Sequence, residues 1–293
     1  MWSQLTASLH TGDFKSIARC ISLVENEVEG YDAFLQSLPP VAVPVIGITG
    51  PPGAGKSTLV DAFIDVLVQH GKKVAVLCVD PSSPFNLGAV LGDRIRMSDW
   101  YNHPQVFIRS LATRGSLGGL HPSILEITDV CRAAGFDYVL VETVGVGQSE
   151  VEIAGLADLT MVVLVPEAGD EVQTMKAGLM EIADLFVVNK ADRPDADRFV
   201  RTLQQMLAPA ARHRHPAPVV KTVALQKTGI EELWQQVEQL LLEPGQDPRK
   251  EWLLAEKAYQ LIRKKRMHNI RKDELLQRIA EERSKGQFNL YRF

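Results

Sequence analysis

The chain has few cysteines: three in 293 residues, Cys20, Cys78 and Cys131, far apart and without a C-x-x-C pair. That spacing excludes a disulfide framework and a thiolate metal site, and it suits a reducing compartment. Long apolar runs are also missing. No stretch of about eighteen apolar residues could span a bilayer, and no N-terminal segment has the length of a signal peptide. The expectation is a soluble, cytoplasmic protein with no membrane partner. Charge of one sign is scarce overall, with a formal net charge of −4. Its distribution is uneven: residues 249 to 285 hold twelve Lys/Arg against six Asp/Glu. Such asymmetry assigns the C-terminal stretch a job of its own. What remains is ordinary: 45% hydrophobic residues over this length suffice for one large domain, or one domain with extensions.

The stretch that organises the rest is Gly50-Pro51-Pro52-Gly53-Ala54-Gly55-Lys56-Ser57-Thr58, directly after the apolar run Val43–Thr49. It matches G-x-x-x-x-G-K-[ST] at every fixed position and lies between a buried strand and an amphipathic helix. Glycines let successive N–H groups turn inward around a phosphate, and the helix that follows points its N-terminal dipole at the same anion. Lys56 would reach the β- and γ-phosphates, and the Ser57 hydroxyl would ligate Mg²⁺. The bland alternative is a glycine-rich strand-to-helix turn without a ligand.

Residues 1 to 38 carry helical periodicity through Leu5, Leu9, Ile17, Cys20, Ile21 and Val24, broken near Thr11-Gly12-Asp13. From Val43 the pattern becomes short β-branched runs alternating with helical stretches, the mark of a mostly parallel, doubly wound α/β sheet covered on both faces. Strands are expected at 43–49, 73–79, 105–109, 137–142, 159–165, 185–188 and 218–224. Helices are expected at 56–70, 122–134, 150–156, 170–182, 194–208 and 229–242. The domain plan is a helical extension over 1–40, an α/β domain over 41–245 and a helical arm over 246–293.

Ligands collect at the carboxyl ends of such strands, so each end is a candidate site. Asp80 ends the second strand and is placed to hold Mg²⁺ directly or through water, with a turn-capping aspartate as the alternative. In the loop Asn86–Met97, Asp93 could join the metal shell and Arg94 or Arg96 could meet phosphate; solvated loop charges explain them equally well. The segment Thr113–Leu120 is glycine-rich and of unread role. Glu142 and Gly145 fit the E-x-x-G form in which a carboxylate orients Mg²⁺ and a glycine N–H senses the γ-phosphate. Gln148, three residues past Gly145, is a candidate to position water. Asn189-Lys190-Ala191-Asp192 follows a strand and suits guanine: Asp192 can accept from N1–H and the 2-amino group, Asn189 braces the loop, and the Lys190 stem lies over the purine. A further base contact is expected from Val223-Ala224-Leu225, with Lys227 covering the ring. The loop from Val165 to Gly178 is either a third switch or an ordinary helix start with acidic residues on its dipole.

Beyond Pro244–Pro248 a long helical pattern runs through Trp252, Ala255, Tyr259 and Ile262 to Met267, Ile270, Leu275 and Ile279, read as a single helix that packs either on the domain or on another chain, with a homodimer arm the preferred reading. The run Arg263-Lys264-Lys265-Arg266 is a solvated helical face; with no reader motif beside it, no nucleic-acid partner is expected.

Together the phosphate loop, Val79-Asp80-Pro81-Ser82-Ser83, Leu91-Gly92-Asp93-Arg94, Val141–Glu150 and Asn189–Asp192 closely resemble the MeaB/ArgK family of GTPases, relatives of the methylmalonic aciduria type A protein. The resemblance extends from Ala18–Glu25 into the C-terminal arm. It implies a P-loop NTPase fold with a SIMIBI-type G domain and a homodimer that hydrolyses GTP to GDP. It further implies a chaperone of adenosylcobalamin-dependent acyl-CoA mutases, chiefly methylmalonyl-CoA mutase, that gates cofactor loading. Carried over by position, Lys56, Ser57, Asp80, Asp93 and Glu142 form the phosphate and Mg²⁺ site, Asn189 and Asp192 read guanine, and the region of Gln173 and Lys176 matches a third switch. Older descriptions tie the family to a kinase-like role in arginine and ornithine transport. A metallochaperone GTPase is another reading, but its only histidine cluster, His213 and His215, has no cysteine beside it. No in-chain arginine finger is identifiable, so slow hydrolysis without a partner is expected.

Overall fold

The computed structural model describes residues 1–80, 97–113, 120–143, 149–168, 177–207, 216–242, 248–267, 269–286 and 288–292. Seven strands form one sheet: β1 (Val45–Thr49), β2 (Val74–Asp80), β3 (Val106–Ala112), β4 (Tyr138–Glu142), β5 (Leu159–Leu164), β6 (Leu185–Val188) and β7 (Val219–Lys221). Their order is β3-β2-β4-β1-β5-β6-β7, and every pairing is parallel. β1, β2, β4, β5 and β6 are buried at every residue, as expected of parallel strands covered on both faces. The chain leaves β1 toward β2 on one side and later crosses to β5 on the other. The carboxyl end of β1 is therefore the topological switch point, where such sheets place ligands.

One face is covered by α4 (Lys56–Gln69) and α9 (Ile230–Leu242). Leu59, Val60, Phe63, Ile64 and Leu67 recur at helical spacing and meet Ile46, Ile48, Val76, Leu140 and Trp234 in one core. Trp234 lies edge-on to Phe63 and Tyr138, at ring-centroid distances of 6.3 and 5.3 Å. The opposite face is covered on the β3 side by the N-terminal helices α1 (Trp2–His10), α2 (Phe14–Glu25) and α3 (Tyr31–Ser37), with α5 (Ile124–Arg132) and α6 (Ser149–Leu156). On the β6 side, α7 (Ala177–Ile182) and α8 (Ala196–Leu207) complete the cover, with Phe199, Leu203 and Leu207 over Val162, Phe186 and Val188.

The N-terminal helices share the sheet's core: Ile17, Cys20, Ile21 and Val24 pack with Leu77, Val79, Phe107 and Val139. Asp13 starts α2, its carboxylate accepting from the Ser16 N–H at 2.9 Å and the Ser16 hydroxyl at 2.6 Å. Glu25 at the helix's other end meets the guanidinium of Arg109 on β3 at 2.7 Å and lies 3.4 Å from His121 Nε2.

Two compact units divide the chain, Met1–Gly245 and Gln246–Phe293. In the second, the expected single helix is two: α10 (Pro248–Met267) and α11 (Lys272–Ser284). The break has a local cause. Arg271 takes an extended conformation, φ −92° and ψ 132°, and acidic Asp273 and Glu274 in the next turn favour a fresh helix start. Tyr259, Ile262 and Leu276 are exposed on these helices, while Leu275 and Ile279 are half-buried. No helix among the described residues is long and apolar enough to cross a membrane.

Candidate functional site

The phosphate loop is shaped by its glycines. Gly50 takes φ +139°, and a Cβ there would lie 2.1 Å from the Val163 carbonyl oxygen on β5, so only glycine lets the chain leave β1 pressed against its neighbour. Gly55 takes φ +85° at the start of α4, and a Cβ on it would strike Asn189 Nδ2 at 2.6 Å. Ala54 is buried, Pro52 and Gly53 are exposed, and Pro51 and Thr58 are half-buried along the rim. Lys56, only 7% exposed, donates to the carbonyls of Gly50 at 2.9 Å and Pro51 at 3.1 Å, which holds its ammonium across the loop.

The next residue joins loop to sheet. Ser57 Oγ donates to Glu142 Oε1 at 2.7 Å, bringing the first turn of α4 onto the carboxyl end of β4. One residue on, Thr143 donates to Thr49 Oγ1 at 3.0 Å, with its N–H on the Ile48 carbonyl at 3.0 Å. Asp80 ends β2, the strand paired with β4, and its carbonyl accepts from Thr113 N–H at 3.0 Å. Ser57, Asp80 and Glu142 are all buried. One hydroxyl and two carboxylates are hard oxygen donors, a set that suits Mg²⁺, which binds proteins through one or two carboxylates plus phosphate oxygens. Among the described residues no cluster of three or more His, Cys, Asp or Glu could hold a metal ion by itself.

The base-side motif abuts the loop. Asn189, 2% exposed, donates from Nδ2 to the Ala54 carbonyl at 3.0 Å. Its Oδ1 accepts from Thr222 Oγ1 at 3.2 Å and Ala224 N–H at 3.1 Å. One side chain thus ties the phosphate loop to the turn at Val223-Ala224-Leu225. Lys190 has φ +56°, and its ammonium donates to the Gly53 carbonyl at 2.7 Å, laying its stem along the loop. Ala191 N–H bonds to the Thr222 carbonyl at 3.0 Å, and Asp192 stands exposed beside it. Val223 and Thr228 close the second turn by a two-hydrogen-bond bridge, leaving Leu225 88% exposed at its tip.

Lys227 stands at the end of the Ala224–Gln226 turn, with φ +57°. Its ammonium pairs with Asp65 on α4 at 2.8 Å, a partner 162 residues away in sequence that gave no signal. The sequence also gave no sign of Glu167, which pairs with Arg193 just past the guanine motif. The Arg193 guanidinium, hydrogen-bonded to it, holds the Glu167 carboxyl below the ordinary carboxylate value. Asp93, Arg94, Arg96, Gly145, Gln148, Gln173, Lys176, His213 and His215 lie outside the described residues.

Comparison with known proteins decides the family. The family model described as "Methylmalonyl Co-A mutase-associated GTPase MeaB" matches residues 17–284. The chain belongs to the MeaB family. It is a P-loop GTPase. A Pyrococcus abyssi relative is 47% identical over 245 residues, covering 82% of this chain and 76% of the relative. The GTPase ArgK of Escherichia coli is 40% identical over 237 residues, covering 77% and 72%. Among solved structures, a LAO/AO transport system kinase superposes with a TM-score of 0.69 at 27% identity, over 99% of this chain and 94% of that one. The match to MeaB spans both the sheet unit and most of the C-terminal helical unit.

Proposed function

We propose that this MeaB-family GTPase is a nucleotide-driven switch that binds an adenosylcobalamin-dependent acyl-CoA mutase of the methylmalonyl-CoA type and gates its cofactor loading and protection. The observation that carries the reading is Asn189, whose hydrogen bonds join the phosphate loop to the base-side turn, so that one nucleotide can engage both. In this reading Gly50 to Thr58 enclose the phosphates, and Asn189, Lys190, Asp192 and the Val223–Leu225 turn take guanine. Ser57, Asp80, Asp93 and Glu142 hold Mg²⁺, which neutralises the developing phosphate charge when bound.

Catalysis is positioning and charge neutralisation. Lys56, now on the Gly50 and Pro51 carbonyls, would bind the β- and γ-phosphates, and Ser57, now hydrogen-bonded to Glu142, would be a metal ligand. Gln148 orients water, and Lys176 belongs to a switch that relays the nucleotide state. The helices α10 and α11 serve as a homodimer arm.

The test is co-elution of the purified chain with an adenosylcobalamin mutase in GDP and in a non-hydrolysable GTP analogue. Nucleotide-dependent co-elution upholds the reading, and failure to associate in either state removes the mutase as partner. The transport-kinase structure that superposes over nearly the whole chain favours a second reading, phosphoryl transfer to a small molecule in arginine or ornithine transport. Labelled GTP incubated with those amino acids separates the two: labelled phosphate appears free in solution for hydrolysis and on the amino acid for transfer.

A further inference from the structure

Two lysines on the base side take left-handed backbone angles, Lys190 at φ +56° and Lys227 at φ +57°. That conformation is uncommon outside glycine, asparagine and aspartate, and a long side chain keeps it only where its surroundings hold it there. The surroundings are alike in both cases. Each lysine reaches back from a base-side turn to the phosphate loop or its helix: Lys190 to the Gly53 carbonyl at 2.7 Å, Lys227 to the Asp65 carboxylate of α4 at 2.8 Å. The first contact belongs to the guanine motif. The second lies outside every motif.

α4 serves the candidate site twice. Its first residues, Lys56 and Ser57, belong to the phosphate loop. Asp65 lies about 12 Å farther along the helix axis. On the helix's flank packs the turn Ala224–Gln226, whose Ala224 is buried in one core with Leu59, Val60 and Phe63. The turn is held at both ends. On the leading side Asn189 Oδ1 accepts from Ala224 N–H at 3.1 Å. On the trailing side Lys227 N–H closes onto the Ala224 carbonyl at 3.1 Å, and the Lys227 ammonium fastens to Asp65. Asp65 Oδ2 also accepts from Gln69 Nε2 at 2.8 Å, one helical turn on, which steadies the carboxylate under the lysine. Leu225 at the tip is 88% exposed, so packing does not fix the tip and its two ends must.

We propose that Asp65 and Lys227 are positioning residues for guanine: their ion pair clamps the trailing end of the Ala224–Gln226 turn to the phosphate-loop helix and so sets where the turn's backbone N–H groups stand against the 6-oxo edge of the purine. The inference rests on the reading in which the Val223–Leu225 turn takes guanine. Base recognition is then divided between two places. Asp192 answers for N1–H and the 2-amino group, and the clamped turn answers for the 6-position. A donor held in place discriminates between an oxygen and a larger, weaker acceptor, whereas a loosened one adapts to both.

Competition binding of GDP, 6-thioguanosine diphosphate and inosine diphosphate to the full chain tests this. The thio analogue changes only the 6-position, and the inosine nucleotide lacks only the 2-amino group. Wild type should prefer GDP to both. Asp65→Asn and Lys227→Gly should each shrink the preference over the thio analogue about twofold to fivefold, the scale of a partly exposed ion pair, and leave the preference over inosine diphosphate unchanged. Glycine suits the left-handed angle at position 227, so that variant keeps its fold. The double variant should lose no more than either single one, since both break the same contact, and a deeper loss would overturn the assignment. Both preferences falling together would also overturn it, because a general loosening of the base side does that. So would a loss in Lys227→Gly that Asp65→Asn does not share, which would make the lysine a direct cover of the ring. Wild-type preferences in both variants would remove the clamp and leave the base reading intact. A wild-type chain that binds GDP and the thio analogue equally would bring down the reading of the turn itself, and the clamp with it.

Discussion

Single residues decide the site where two backbones come closer than a side chain permits. Gly50 combines φ +139° with a carbonyl oxygen 2.1 Å from where its Cβ would be. Gly50→Ala should therefore cost about 1–3 kcal/mol from the backbone angle alone, and more from the clash. It should also abolish tight nucleotide binding, because the loop can no longer leave β1 along β5. A urea midpoint and a GDP titration read the two effects. This position was legible in the sequence, since the phosphate-loop spacing demands glycine there. The bracing by Asn189 was legible too, because the motif names its residue types. The Lys227–Asp65 pair was not legible: the order of residues places Lys227 beside the base turn, and only the fold brings Asp65 of α4 within 2.8 Å of it. A contact between a turn and a helix 162 residues away leaves no trace in spacing.

Secondary-structure elements followed their periodicity closely. All seven expected strands are present, and the largest extension of an expected range is in β3, which runs to Ala112. β3 is an edge strand, half-buried over Ile108-Arg109-Ser110, so its polar residues hide its true length from an apolar-run criterion. The C-terminal periodicity ran unbroken through Ile270, yet the helix breaks there, because a stripe of apolar residues records which face is covered and not whether the backbone is continuous. Capping gives an element-level prediction. Hydrogen bonds from the Ser16 hydroxyl and N–H lower the Asp13 carboxyl below its ordinary 3.8. A depressed folded-state value means that the capping contribution is fully present above that ordinary value and fades as the pH falls through the folded one. Asp13→Ala should lower the thermal midpoint at neutral pH, and the gap to wild type should shrink progressively below pH 3.8. A gap independent of pH would show that the ionised cap contributes nothing.

At the scale of the molecule, the chain joins a nucleotide-binding sheet unit to a basic helical unit with apolar side chains on its surface. Tyr259, Ile262 and Leu276 are 60%, 51% and 71% exposed, a poor arrangement for a helical pair standing alone in water. Assigning α10 and α11 to a homodimer arm predicts that Tyr259→Asp/Ile262→Asp converts a dimer to a monomer in sedimentation velocity while leaving GDP affinity intact. A wild-type monomer across micromolar concentrations would remove that role. The basic excess of residues 249 to 285 was visible in composition, but no spacing within it says which surface it meets.

The central claim is that one bound nucleotide has its phosphates held by the Gly50–Thr58 loop and its guanine identified by Asp192 across the Asn189 bridge. Titration of GDP and xanthosine diphosphate into wild type and Asp192→Asn tests it most directly. Wild type should prefer GDP strongly and the variant should reverse that preference, since an amide in place of the carboxylate complements the xanthine ring. Unchanged guanine selectivity in Asp192→Asn would contradict the account.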